Sequence, residues 1–304
     1  MQRNIAETII KVNLGYKKGE ELLVVCDNKL HDLAYGFYKE SLLLGCESII
    51  MEMVARDSHG EEPPRTVATA LKNSDLAVLF TSMSLSHTKT RKIACHKYGV
   101  RIASLPGATG RMLERTIPVN YSSLKNSVKR VTRLLTKGKK VEVRTGNGTN
   151  LTMSIEGRKG FPDNGLYVKG GSFGNLPAGE ACIAPREGTT NGRLIIDGSA
   201  PFMGRIKRPI EIIIKNGYAR DIASREVRTA LKSFGKAALN VAELGIGLNP
   251  RAIITGNILE DEKAKNTAHI AFGNNKSFGG KISCPSHLDF VFLKPLIKID
   301  GVKI

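Results

Sequence analysis

The stretch ELLVVCDNKLHDLAYGFYKESLLLGCESIIMEMV, residues 21–54, decides the fold class of the first part of the chain. The apolar run Glu21–Cys26 is typical of a buried strand. His31–Leu44 has the length of a helix and is followed by Gly45, a common helix terminator, and Ser48–Val54 is a second strand. Strands that alternate with helices at these lengths predict a parallel sheet with helices packed on its faces.

The same alternation continues to residue 105. The pattern predicts a helix over Arg65–Lys72, a strand over Asp75–Phe80, a helix over Thr88–Tyr98 and a strand over Arg101–Leu105. We therefore expect an α/β, Rossmann-like domain with a doubly wound parallel sheet over residues 1–138. Its strand-to-helix turns contain no glycine fingerprint for a nucleotide.

The character of the sequence changes at about Gly138, where short strands and glycine turns begin. Lys140–Arg144 and Asn150–Ile155 read as a hairpin, and Ile210–Lys215 with Tyr218–Ile222 reads as another. We expect residues 139–304 to form a β-rich α+β domain that binds metal and carries the catalytic site.

The net charge of +18 would favour anionic partners. The densest basic stretch, Lys125–Arg144, begins as a helix with an apolar stripe and a charged face, which is the pattern of an ordinary surface helix. There is no tryptophan, and no nucleic-acid-binding motif accompanies the charge. A nucleic-acid partner is therefore not expected.

Composition also predicts where the protein acts. The chain has no apolar run long enough to span a bilayer, and Met1–Glu7 has no hydrophobic signal region. Its five cysteines are scattered and form no C-x-x-C pair, as is typical of reduced thiols. We expect a cytoplasmic enzyme with no membrane association.

Acidic residues and histidines cluster between residues 241 and 289. His287 and Asp289 lie two positions apart in a strand-like stretch, so they point to one face, and His269 occupies a neighbouring strand-like stretch. Mixed imidazole and carboxylate ligands hold zinc, cobalt, manganese or iron. With Glu243 and Glu262 nearby, the stretch predicts a metal site.

Four groups of residues in order resemble motifs of the aminopeptidase T family of metallopeptidases. They are Asn175–Glu180 with Ala184–Gly188, Ala242–Pro250, Asp261–Lys263 with His269–Gly273, and His287–Asp289. The resemblance implies a homodimer and a site for two divalent ions (Zn, Co or Mn) in the second domain. It carries the family's ligand positions onto six residues: Glu180, Glu243, Glu262, His269, His287 and Asp289.

The resemblance predicts a hydrolase that removes N-terminal residues from peptides, using a water activated by two metal ions. Glu180 or Glu243 would be the catalytic general base, and the sequence does not choose between them. Basic residues such as Arg186 or Lys263 would bind a substrate carboxylate.

A second interpretation stays open. Gly273–Phe278 has no tyrosine where the long peptidases have one. The same superfamily includes ring-cleaving dioxygenases for dihydroxypyridines, which use a single iron on two histidines and one carboxylate. His269, His287 and Asp289 are compatible with one Fe(II) and a small-molecule substrate.

Overall fold

The computed structural model describes residues 1–304, which form one parallel and two antiparallel sheets. The α-helices are α1 (Arg3–Glu7), α2 (His31–Leu43), α3 (Arg65–Asn73), α4 (Lys89–Tyr98), α5 (Gly110–Thr116), α6 (Tyr121–Lys137), α7 (Arg225–Ser233) and α8 (Ile258–Asp261). A π-helix covers Thr8–Asn13, and 3₁₀-helices cover Lys236–Leu239 and Lys276–Phe278.

The strands of the first half are β1 (Glu21–Asp27), β2 (Glu47–Met53), β3 (Leu76–Phe80), β4 (Arg101–Ser104), β5 (Lys140–Arg144), β6 (Asn150–Ser154), β7 (Phe161–Asp163), β8 (Phe173–Asn175) and β9 (Glu180–Ile183). Those of the second half are β10 (Asn191–Ile196), β11 (Ser199–Ala200), β12 (Gly204–Arg205), β13 (Ile210–Lys215), β14 (Tyr218–Ile222), β15 (Val241–Gly247), β16 (Thr267–Gly273), β17 (His287–Leu293), β18 (Leu296–Ile299) and β19 (Val302–Lys303).

The chain divides into two compact units. One comprises Met1–Tyr121 and Gly165–Ala178, and the other comprises Ser122–Asn164 and Gly179–Ile304. The predicted domain boundary between residues 138 and 139 stays a prediction, because compactness alone does not show that a unit folds independently. None of the helices combines the length and apolar character that crossing a bilayer requires.

The first unit contains the parallel sheet, in the order β2-β1-β3-β4-β8. From β1 the chain adds β2 on one side and β3 and β4 on the other, as expected of a doubly wound sheet. Val24, Val78 and Ile102, on adjacent strands, are fully buried, so these strands lack the polar alternation of a half-exposed sheet. The predicted α/β fold class is confirmed.

The second unit contains both antiparallel sheets. Their orders are β14-β13-β10-β6-β5-β18-β19 and β12-β11-β17-β16-β15-β9-β7, and we call the latter sheet C. One core includes residues of both sheets and of α6, among them Val131, Leu151, Ile212, Ile270 and Phe290. The predicted β-rich character of the second part is therefore confirmed. One face of sheet C packs into this core.

Candidate metal centre

Sheet C has a core face and a polar face. Ile270 and Phe272 of β16 and Phe290 and Phe292 of β17 belong to the core. Because side chains alternate along a strand, the intervening residues, including His269, face the other way. The polar face of sheet C therefore carries His269, one of the residues predicted to bind metal.

The strand register brings ligand-type side chains side by side on this polar face. Glu243, Ala271 and Asp289 are paired across β15, β16 and β17. His269 lies two residues before Ala271 on β16 and pairs with Gly245. His287 lies two residues before Asp289 on β17, on the opposite side of this row because β16 and β17 are antiparallel. The same-face prediction for His287 and Asp289 agrees with this register.

A β-bulge in β15 directs Glu243 to the polar face. Val241 pairs with Phe272 and lies in the core, and Glu243 then pairs with Ala271, so the register shifts between them. In a regular strand, residues two apart face the same side. The extra residue, Ala242, therefore allows Val241 to be in the core while Glu243 joins the site.

Gly245 leaves the space that the His269 ring occupies. Gly245 pairs with His269 on one side and with Cys182 on the other. A Cβ atom on Gly245 would lie 2.0 Å from His269 Cε1 and 2.2 Å from its Nε2. Gly245 thus allows close packing between β15 and β16, and it lies inside a strand and not in a nucleotide-binding turn.

The two imidazoles converge on two carboxylates. His287 Nε2 lies 3.2 Å from Glu243 Oε2 and 3.4 Å from Asp289 Oδ1. His269 Nε2 lies 3.5 Å from Glu243 Oε1 and 3.8 Å from Asp289 Oδ1, with Glu180 Oε2 at 3.9 Å. His269 is 1% exposed and the His287 side chain 17%, so the group is deepest at His269.

Two contacts hold the His287 ring in place. Its Nδ1 donates a hydrogen bond to the Asn274 carbonyl oxygen at 2.8 Å, which leaves Nε2 as the nitrogen that faces Glu243. Phe278 stacks on the imidazole with ring centroids 5.2 Å apart, and Phe161 packs edge-on against Phe278. Both the tautomer and the orientation of His287 suit a metal ligand.

A second group of carboxylates surrounds Lys263, which follows α8 in the chain. The Lys263 ammonium lies 2.7 Å from Glu180 Oε1, 2.9 Å from Glu262 Oε1 and 3.2 Å from Asp163 Oδ2. Its side chain is 2% exposed. The ammonium is thus fully engaged with the chain's own carboxylates, whereas Arg186 is exposed.

Burial and neighbouring charges shift the pKa values in opposite directions. Burial raises the pKa of Glu262, and although Lys263 lowers it, repulsion from Glu180 and Asp289 also raises it, to about 8. Burial lowers the pKa of His269, but its bond to Glu243 and the nearby carboxylates raise it to about 9. The imidazoles thus share protons with carboxylates, and a divalent cation would compete for the same lone pairs.

The six predicted site residues lie in this one region of the second unit. Ligand atoms within 4.8 Å of one another come from two sets: Glu262, His269 and Asp289; and Glu180, Cys182 and Glu243. Sequence reasoning missed Asp163, the role of Gly245 and the internal contacts of Lys263. Only strand register could have revealed them, since Asp163 pairs with Glu180 across β7 and β9.

Comparison with protein families identifies the chain. The family model described as "NicX: 2,5-dihydroxypyridine 5,6-dioxygenase" matches residues 51–304. The chain belongs to this family. Among curated proteins, no relative of this NicX family member matches.

Two solved structures share the fold of this NicX family member. The 2,5-dihydroxypyridine dioxygenase from Pseudomonas putida KT2440 has a TM-score of 0.84 at 19% identity, covering 100% of this chain and 96% of that chain. Wild-type AmpT from Thermus thermophilus has a TM-score of 0.73 at 15% identity, covering 99% and 96%. The resemblance to aminopeptidase T is therefore confirmed for the fold alone.

The prediction of a hydrolase is wrong. A metalloaminopeptidase or other protease was expected from the order of the motifs around Glu180, Glu243, Glu262, His269 and His287–Asp289. The NicX family model covers these motifs and names a dioxygenase, which is an oxidoreductase. Peptidases and oxygenases draw on the same ligand types, so motif order alone did not separate the two chemistries.

Proposed function

We propose that this protein is a ring-cleaving dioxygenase that acts on a dihydroxypyridine or a closely related hydroxylated aromatic ring. The observation that carries the proposal is the convergence of His269, His287 and Asp289 on one point, in a chain that belongs to the NicX family. Two histidines and one carboxylate are the usual ligands of non-haem Fe(II) in oxygenases. Membership of the family supports the choice of iron over zinc.

His269, His287 and Asp289 would hold one Fe(II). The residues fit such an ion, because the Nε2 atoms of both histidines face the same Asp289 oxygen and no backbone or amide donor separates them from it. When bound, iron supplies the redox chemistry that lets dioxygen react with an aromatic ring. The earlier prediction of two divalent ions stays a prediction that a metal count would test.

Glu243 is the proposed acceptor for a substrate hydroxyl proton. Burial alone would raise its pKa, but hydrogen bonds and charge from His269 and His287 hold the pKa well below the ordinary value. Glu243 is therefore ionised at neutral pH and lies 3% exposed beside both imidazoles. Deprotonating a hydroxyl makes the ring more electron-rich and easier to oxidise. Glu180 is the alternative acceptor, although Lys263 already engages one of its oxygens.

Phe161 and Phe278 are the proposed apolar wall for the substrate ring. Both are partly exposed; Phe278 stacks on His287, and Phe161 packs edge-on against Phe278. Aromatic side chains favour offset or edge-on contacts with another ring. This arrangement supports an aromatic substrate over a peptide.

The test is oxygen uptake by protein reconstituted with Fe(II). With 2,5-dihydroxypyridine we expect one O₂ consumed per ring, with both oxygen atoms of labelled O₂ in the product. No external reductant is required, because oxidative cleavage of one ring carbon–carbon bond supplies all four electrons that reduce O₂. Asp289→Asn should abolish uptake and Glu243→Gln should slow it. An iron-loaded, folded protein that consumes no oxygen with any dihydroxypyridine would exclude the proposal.

A further inference from the structure

Lys263 is a buried cation inside a cluster of acids. Its side chain is 2% exposed, and its ammonium contacts Asp163, Glu180 and Glu262 and no other carboxylate. Lysine is rarely buried unless it is paired. The three carboxylates come from β7, β9 and the turn after α8, so separate elements of the fold converge on a single positive charge.

Glu180 joins this cluster to the proposed iron ligands. Its Oε1 accepts from Lys263 at 2.7 Å, and its Oε2 lies 3.9 Å from His269 Nε2. That second oxygen is buried and has no hydrogen-bond partner. Two positions for positive charge are thus adjacent: one between the histidines and Asp289, and one at the Lys263 ammonium.

The charge balance requires a cation at the Lys263 position. Asp163, Glu180 and Glu262 are oxygen donors of the type that bind hard divalent ions. Without a positive charge among them, three neighbouring acids, of which Glu180 and Glu262 are buried, would repel one another or take up protons. Nζ–O distances of 2.7 to 3.2 Å exceed metal–oxygen bonds by roughly half an ångström to one ångström. A divalent ion would need only a small inward movement of the carboxylates.

We propose that Lys263 replaces a second metal ion and thereby limits the site to one. Asp163, Glu180 and Glu262 form a latent binding site for a divalent cation such as Mn²⁺, and the lysine ammonium closes it. The inference rests on the proposed function, because the first ion is the one held by His269, His287 and Asp289.

The test is the number of Mn²⁺ ions per chain after loading and desalting, measured by elemental analysis. Lys263→Ala removes the ammonium and opens space, and we expect two ions per chain against one in the unchanged protein. Lys265→Ala, at an exposed lysine two residues away, is the matched control and should keep one. Lys263→Ala/Glu262→Gln should return to one ion, because the latent site loses a charged ligand.

Thermal unfolding provides a second measurement. We expect the melting temperature of Lys263→Ala to keep rising at Mn²⁺ concentrations at which the melting temperature of Lys265→Ala no longer changes. Two ions in the unchanged protein, or one ion in a folded Lys263→Ala variant, would overturn the inference. So would failure of Lys263→Ala to fold at every Mn²⁺ concentration, since an ion would then not replace the ammonium.

The outcome is separate from that of the proposed function. A protein that binds one Mn²⁺, and two after Lys263→Ala, supports the role of the lysine even if no dihydroxypyridine is oxidised. A chain that binds no ion at His269, His287 and Asp289 would contradict the metal centre itself.

Discussion

Gly245 lies directly opposite His269 in sheet C, and the imidazole fills the space where a side chain on residue 245 would begin. Both strands are held by backbone pairing, so neither can move away easily. The small residue on β15 is therefore a condition for the histidine on β16 to reach the carboxylates.

Gly245→Ala should weaken metal binding. The added methyl would lie 2.0 Å from His269 Cε1 and would force the ring out of position. We expect metal affinity to fall by about tenfold or more and overpacking to cost about 1–3 kcal/mol of stability. Titration calorimetry and chemical unfolding measure the two effects. Gly146→Ala is the control, because a Cβ there meets nothing within 4 Å; equal metal affinity in both variants would contradict the packing argument.

Chelation should lower the melting temperature. Glu243, His269 and Asp289 lie close together in a poorly solvated region, and a bound ion stabilises the folded state by mass action. When the free metal concentration is one hundred times the dissociation constant, the bound ion adds about 2.7 kcal/mol to the free energy of unfolding. Differential scanning calorimetry with and without chelator measures it. His287→Ala should unfold at nearly the same temperature in both conditions, and a similar insensitivity in the unchanged protein would contradict a metal centre.

Phe278→Ala should loosen His287 without removing a ligand. The Phe278 ring stacks on the imidazole, so its loss frees the ring to rotate about the Asn274 hydrogen bond. We expect roughly tenfold weaker metal binding, measured by competition with a chromogenic chelator. Phe202→Ala, at a phenylalanine that is 79% exposed, should leave affinity unchanged.

The Glu62 carboxylate should stabilise the first unit only above its own pKa. Burial would raise that pKa, but hydrogen bonds from Thr90 and the Lys89 amide at the start of α4 lower it overall. A carboxylate whose pKa falls on folding stabilises the folded protein fully when the pH is above the pKa of the unfolded chain, which is near 4.5. This stabilisation is lost as the pH falls through the lower pKa of the folded state.

Glu62→Gln should accordingly cost about 0.5 kcal/mol at pH 7 and have less effect at pH 3. Urea unfolding at both pH values measures the difference. Glu114→Gln, at an exposed acid on α5, is the control. A cost for Glu62→Gln that is as large at pH 3 as at pH 7 would show that charge is not involved.

The fold class followed from the sequence because it depends on local periodicity. The apolar run Leu22–Cys26 and the helix His31–Leu43 bury the faces that their spacing indicates, and the predicted bounds differ from the observed ones by one or two residues. The facing of His287 and Asp289 was equally local, since it needs only the two-residue repeat of a strand.

The internal pairing of the site could not be predicted in the same way. Lys263 was expected to meet a substrate, because the sequence places it beside Glu262 and Asp261 in what resembles a solvated turn. Its actual partners include Asp163, which lies 100 positions earlier in the chain, and Glu180, which lies 83 positions earlier. Such contacts depend on which strands become neighbours, and apolar periodicity does not encode this. The class of reaction could not be predicted from the site residues either, because one set of ligands serves both hydrolysis and oxygenation.

The extra residue in β15 has an evolutionary consequence. Deleting Ala242 would make Val241 and Glu243 sequence neighbours, and neighbours in a regular strand face opposite sides, so both could keep their present faces of sheet C. A regular strand that kept Ala242 would instead place Val241 and Glu243 on one face, with either a carboxylate in the apolar core or a valine among the candidate ligands. Descendants of this chain can therefore lose this residue and keep Glu243 at the site, but they cannot straighten the strand at its present length without giving Glu243 up.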